Sequence, residues 1–208
     1  MLVEFSVQNF RSIHQRQTLS LVASKDKTYL STHATATQVA AVPHVLRSAG
    51  MYGANGSGKT NLLHALGYFQ WFVKSNFSRS PEEPTVLVPF AFQDEEGRQS
   101  PAEFEVTLIL DGVRYQYGFR LDAHRIHEEW LLVYKSQKGQ AWFERKYHSE
   151  TGKYEVQFSE KLLGAKKVWQ ESTRSNALLL STAVQFNSEM LHPVFDWIAN
   201  KMVFIALF

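Results

Sequence analysis

The 208-residue sequence contains no cysteine. Disulfides and cysteine-ligated zinc sites are therefore excluded, and a cytoplasmic location is the expectation. No uninterrupted apolar run approaches the roughly 20 residues that span a bilayer, so no membrane partner is expected. The opening residues, Met1-Leu2-Val3-Glu4-Phe5, lack the basic start and long apolar stretch of a secretory signal. Charge of one sign is lacking too. The 22 basic and 20 acidic residues leave a net +2, which argues neither for nor against nucleic acid.

The chain is hydrophobic at 44% of its positions, enough for a substantial core in one large domain or one domain with an elaboration. Aromatic residues make up 13%, with 15 Phe, and point to a well-packed, β-rich body.

The most informative stretch is Gly53-Ala54-Asn55-Gly56-Ser57-Gly58-Lys59-Thr60. It fits G-x-x-x-x-G-K-[ST], the phosphate-cradling P-loop. Three glycines let the backbone curl tightly, so that its N–H groups and the N-terminus of the next helix form an anion site. Lys59 would reach the β- and γ-phosphates of ATP, and the Thr60 hydroxyl would be a ligand of Mg²⁺. Residues 45–52 are largely apolar and predict a strand ending at the loop. Leu62, Leu66, Phe69 and Val73 recur at helical spacing after it.

Elsewhere, residues 2–10 alternate, with Val3, Phe5 and Val7 on one face, and predict a half-buried strand. Residues 18–22 predict a second strand antiparallel to it, after a turn at Asn9-Phe10-Arg11-Ser12. Residues 24–42 carry little periodicity and predict an irregular or mobile loop. Beyond the breaker at 78–84, six short strands are expected at 85–92, 102–110, 114–121, 128–135, 141–147 and 153–158. Turn-like residues at 94–97, 111–112, 136–139 and 149–152 separate them. Asp111-Gly112 is a two-residue hairpin signal. These strands form an antiparallel meander. Helical patterning returns from Ser175 through Leu178, Leu179, Ala183 and Phe186, and a further helix is expected from Pro193 to about Asn200. The run 202–208 is continuously apolar and suits a buried parallel strand. Its apolar end predicts that more of a longer protein, or another chain, covers it.

Several charged groups have a bland reading. His124, His127, Glu128 and Glu129 are read as a strand edge with solvated charges rather than a metal site. Arg145-Lys146 and Lys166-Lys167 are read as solvated surface. Tyr115, Tyr117, Phe119 and Trp130 are read as sheet core rather than a base-stacking platform.

Taken together, the chain resembles the N-terminal lobe of an ABC-type ATPase head, the group that includes RecF and the SMC proteins. More narrowly it is similar to bacterial AAA-type ATP-binding proteins of the abortive-infection and PtuA/retron-associated kind. The matching stretches are residues 5–13 (Phe-Ser-Val-Gln-Asn-Phe-Arg-Ser-Ile), 52–63 around the P-loop, 115–119, 129–131 and 143–145. Asn61 after Lys59-Thr60, with Asn9-Phe10-Arg11-Ser12 near the start, carries most of the specificity.

The resemblance implies an α/β fold, a P-loop NTPase head lobe with an inserted antiparallel β meander. It would be divided into 1–77, 85–160 and 175–208, with the C-terminal lobe absent. It implies ATP and Mg²⁺ held by Gly53, Ala54, Asn55, Gly56, Ser57, Gly58, Lys59, Thr60 and Asn61. It places Arg11 near the nucleotide, where a guanidinium could pair with phosphate; the other reading is a solvated turn arginine. It makes Gln185 a candidate for sensing Mg²⁺ and the attacking water, against an exposed helix glutamine. The implied partners are a second head in a homodimer, a nuclease or toxin effector in anti-phage defence, and DNA as a candidate ligand. The family's signature loop and its apolar strand ending in Asp-Glu are missing from this sequence. The chain itself is therefore expected to bind nucleotide poorly or incompletely and to hydrolyse it very slowly, and the alternative is a non-catalytic, nucleotide-dependent scaffold or truncated lobe that docks on another subunit. A small-molecule kinase is the third reading, and the antiparallel meander fits it poorly.

Overall fold

The computed structural model describes residues 1–92 and 100–203. The predicted turn at 94–97 and most of the apolar run 202–208 lie outside them. The chain runs β1 (Leu2–Gln8), β2 (Gln17–Ser20), α1 (Leu30–His33), β3 (Ala34–Ala36), β4 (His44–Leu46) and α2 (Lys59–Ser75). It continues through β5 (Ala102–Leu110), β6 (Val113–Leu121), β7 (Ile126–Tyr134), β8 (Gln140–His148) and β9 (Lys153–Phe158). The last elements are α3 (Lys166–Ser172), α4 (Leu179–Gln185), α5 (His192–Asp196) and a π-helical turn, Trp197–Lys201.

One antiparallel sheet organises the protein, in the order β2-β1-β5-β6-β7-β8-β9. The expected meander is present, but it is not a separate insertion: β5 pairs with β1, so the N-terminal hairpin and the meander are one sheet. The β5–β6 turn puts Asp111 at φ 48° and Gly112 at φ 75°. Two left-handed residues in a two-residue turn match the right-handed twist of the strands.

The alternation of β5 to β8 sends Phe104, Val106, Leu108, Tyr117, Phe119, Leu131 and Phe143 to one face, where all are buried. Against that face lies α2, whose Ala65, Phe69, Phe72 and Val73 are fully buried. Phe69 stacks on Phe119 with ring centres 5.4 Å apart. Burying each such ring stabilises the fold by about 2 kcal/mol.

Four sequence expectations change. First, β1 does not keep Val3 with Phe5 and Val7. A register shift between Leu2 and Glu4 turns Val3 to the other face, where it packs with Val42, Val45 and Ile109. Second, residues 45–52 are not one strand. Only His44–Leu46 is extended and paired, and its partner is β3 in a separate two-stranded sheet. Residues 47–54 are irregular and mostly exposed, with no strand beside them among the described residues. Third, residues 85–92 form no strand. Val86 sits at φ 59°, a left-handed geometry that interrupts the alternation. The segment instead docks through Thr85 N–H on Ala123 O (2.9 Å) and Arg11 N–H on Val88 O (2.8 Å). Fourth, the stretch 24–42, expected to be irregular, contains α1 and β3.

Candidate nucleotide-binding site

Helix α2 starts at Lys59, directly after a loop with Gly56 at φ 78° and Gly58 at φ 91°. Glycine adopts these angles without the Cβ clash that penalises other residues. No side chain caps this helix start, and its first turn holds no acidic residue. The first N–H groups of a helix have no partner within it, and the helix dipole makes that end positive. The loop therefore presents an anion site. Lys59 adds a full charge: its Nζ donates to the carbonyls of Gly53 and Ala54, at 2.8 Å each, and lies 3.5 Å from Ser57 Oγ. The ammonium is thus held across the mouth of the loop. Thr60 is exposed on the same first turn.

A second segment meets the loop. The turn after β1 has Asn9 at φ 53° and Arg11 at φ 51°, both left-handed. Phe10 anchors it: the ring is buried 5.5 Å from that of Phe104, and its backbone exchanges two hydrogen bonds with Ile13. Beyond the anchor, Asn61 Nδ2 donates to Ser12 Oγ at 2.6 Å. That oxygen lies 3.2 Å from where a Cβ on Gly58 would sit. Arg11 reaches the next turn of α2, with Nη1 2.5 Å from His64 Nδ1.

Between the two segments lies an open cleft of about 710 Å³, lined on one side by Ser12, His14 and Gln17, on another by Gly50 and Tyr52, and at its base by Ser57, Gly58 and Lys59. Among the described lining residues Lys59 is the one fixed charge, and none of them is a carboxylate. Groups of three or more metal-ligating side chains are absent among the described residues. The site fits a nucleotide phosphate. A Mg²⁺ ion carried on such a phosphate would keep most of its shell as water and phosphate oxygen, so the exposed hydroxyl of Thr60 on the first turn is compatible with it.

The structure gathers Gly53 to Asn61 and brings Ser12 to Asn61 and Gly58, while Arg11 meets α2 one turn further on, at His64. It does not bring Gln185. That residue ends α4, and its neighbour Phe186 stacks edge-on to Phe77, just past the far end of α2. With 17 residues, α2 is about 25 Å long, so Gln185 belongs to the end opposite the loop.

Sequence reasoning missed His14, Ser12 and His64 at the site, and a polar knot that fixes α2 from behind. Glu129 and Arg145, read as solvated, are buried. Glu129 accepts hydrogen bonds from the N–H groups of Leu179 (2.6 Å) and Leu180 (2.9 Å) and from Tyr117 Oη (3.0 Å), which caps α4. Arg145 donates to the carbonyls of Ala177 and Arg174 and stacks 4.0 Å over Tyr154. Asn76, fully buried after α2, accepts from Leu178 N–H and donates to Phe72 O and Ser181 Oγ. Among the described residues His124 and His127 join no group of three or more metal-ligating side chains, and His127 pairs with Asp122 at 2.6 Å. Burial pushes the Asp122 carboxyl up, but hydrogen bonds from His127 and from the N–H groups of His124 and Arg125 prevail and hold it at about 2.

No helix among the described residues is long and apolar enough to cross a membrane. A comparison with curated proteins finds no match. Residues 48–194 match the model of the family described as "AAA domain, putative AbiEii toxin, Type IV TA system". The match begins just ahead of the loop, runs through the meander and ends inside α5. With well over half of its length matched by an AAA-domain model, and with the phosphate loop inside the matched region, the chain belongs to this AAA family of ATP-binding modules.

Proposed function

We propose that this chain binds ATP with Mg²⁺ through Gly53 to Asn61, and that in the complete protein it acts as a RecF/SMC-like ATPase head lobe. The observation that carries this reading is the uncapped, acid-free start of α2 with Lys59 Nζ folded over the loop carbonyls. A triphosphate displaces those two carbonyls as the partner of the ammonium, exchanging neutral acceptors for charged ones. Mg²⁺, when bound, neutralises phosphate charge, and Thr60 is the residue that holds it from the protein side. Ser12, pinned by Asn61, closes the wall beside Gly58.

The absence of a carboxylate among the described cleft residues favours a division of labour. This lobe binds and orients the nucleotide, and the group that activates water comes from outside the described residues, so turnover by the 208-residue chain is very slow. In the cell the head dimerises around ATP and uses hydrolysis to control a toxin or nuclease effector. The support for that role is the family's description, which names a putative AbiEii toxin and a type IV toxin–antitoxin system. Abortive infection, a cytoplasmic location and a DNA ligand belong to the same proposal.

The test is equilibrium binding of ATP, with and without Mg²⁺, to the chain and to Lys59→Ala. Binding lost in the variant at an unchanged thermal midpoint supports the reading. Equal binding by both, or by neither, overturns it.

A further inference from the structure

The contact between Arg11 and His64 is not explained by the loop motif. Arg11 is held in a costly geometry: its φ of 51° is left-handed, a backbone that a residue with a Cβ adopts only under constraint. Its N–H is tied to Val88 O, and its guanidinium carbon sits 5.5 Å from the centre of the Phe10 ring. The side chain then runs to the exposed face of α2 and meets His64 Nδ1 at 2.5 Å. An arginine only donates, so His64 accepts through Nδ1 and carries its proton on Nε2, as the neutral imidazole. His64 lies three residues after Asn61, on the same helix face, so the turn is fastened at two adjacent points, Ser12 to Asn61 and Arg11 to His64.

The choice of acceptor matters. A carboxylate at position 64 would neutralise the guanidinium. A neutral imidazole orients it and leaves its charge available. We propose that His64 is a positioning residue for nucleotide binding: it holds Arg11, whose neighbour Ser12 lies against Gly58, on the early turns of α2 with no carboxylate among its partners in the described residues, as a cation that turns to a triphosphate on the loop. This rests on the nucleotide reading of the loop given above. When a triphosphate arrives, the guanidinium exchanges an uncharged acceptor for a charged oxygen, a stronger hydrogen bond.

The test measures ATP·Mg²⁺ affinity and thermal midpoint for the wild type, Lys59→Ala, Arg11→Ala, His64→Ala, the Arg11→Ala/His64→Ala double variant, His64→Gln, His64→Glu and His64→Lys. Arg11→Ala is expected to weaken binding roughly tenfold or more, the scale of one charge-assisted hydrogen bond. His64→Ala should lose a smaller part of the same factor, and the double variant should be no weaker than Arg11→Ala alone. His64→Gln, a neutral acceptor of similar reach, should restore binding to within about twofold of the wild type. His64→Glu should weaken it although it holds the arginine more firmly, at an equal or higher thermal midpoint.

Additive losses in the double variant would overturn the proposal, as would wild-type affinity in both His64→Ala and His64→Glu. Tighter binding by His64→Lys would overturn it too, because position 64 would then touch phosphate directly. If the wild type binds ATP no better than Lys59→Ala, the nucleotide reading itself fails and this role falls with it. If the wild type binds and only the position-64 variants are silent, the nucleotide reading stands and this role alone is lost.

Discussion

Glu129 on β7 and Arg145 on β8 are cross-strand partners, both buried, with Arg145 Nη1 3.8 Å from Glu129 Oε2. Neither spends its hydrogen bonds chiefly on the other. The carboxylate receives the first two N–H groups of α4, and the guanidinium takes the carbonyls of Arg174 and Ala177 just ahead of that helix. The pair fastens the chain from Arg174 to Leu180 onto the sheet, and Asn76 fastens the same stretch to the end of α2.

Removing one member should therefore cost far more than a surface ion pair. Glu129→Ala and Arg145→Ala are each expected to lower stability by about 4 kcal/mol, because each leaves an uncompensated buried charge. The double replacement Glu129→Leu/Arg145→Met should recover only part of the summed loss, because it removes the unpaired charge but leaves the N–H groups of Leu179 and Leu180 and the carbonyls of Arg174 and Ala177 without their partners. Urea unfolding of the three variants measures it, and a double variant worse than the sum of the singles would contradict the reading.

Gly118 is needed for space. The indole of Trp130 lies over it, so an added Cβ would collide with Trp130 Cζ2 and meet Phe104 O at 2.8 Å. The indole is also held by its Nε1 bond to Glu105. Gly118→Ala should destabilise the sheet by about 2 kcal/mol through overpacking and shift the tryptophan emission. Calorimetry and fluorescence on one sample check both.

Asp122 predicts a pH dependence. Its folded pKa of about 2 is below the unfolded value, which is about 3.9 for an aspartate. The native state therefore binds fewer protons in that window, and the stabilisation present above pH 4 is lost as pH falls from about 4 to 2. The group is part-exposed, so the contribution discounts to roughly 1 kcal/mol. Comparing the stability of the wild type and Asp122→Asn between pH 6 and pH 2 should show this component vanish in the variant.

Asn61 and Ser12 should act as one unit. Asn61→Ala and Ser12→Ala each remove the bond that pins the N-terminal turn to the loop. Each is expected to weaken ATP binding about fivefold, the scale of one neutral hydrogen bond, and the double variant should be no weaker than either single. Titration of all three with ATP·Mg²⁺ provides the check.

The parts of this fold legible in the sequence were those specified locally. Alternation and turn residues gave β5 to β9 within a residue or two, and Asp111-Gly112 marked its hairpin. The glycine loop and the apolar spacing of α2 gave the site. Register was not legible. Glu129 and Arg145 are ordinary charges until the strand pairing sets them opposite each other beside an open helix start. The bulge that turns Val3 away from Phe5 leaves no mark in an alternating pattern. Residues 85–92 alternate like a strand, yet the left-handed Val86 breaks the extended run. The short α3 went unseen because one residue, Trp169, is buried along it. Arg11 and Ser12 were visible as residues, but their partners on α2 required the two segments to be brought together.

The displaced Val3 has a mechanical consequence. Its carbonyl accepts from Leu21 N–H, and Leu21 O accepts in turn from Leu46 N–H, so the start of β1 carries the small sheet from which the chain enters the glycine loop. The far end of β1 delivers Ser12 to Gly58. Both rims of the cleft hang from a single seven-residue strand. The opening between them is gauged by a rigid bar that is itself pinned into the sheet through β5. A tilt of that strand is therefore passed to both sides of the cleft at once, through Leu21 and Leu46 on one side and Ser12 on the other.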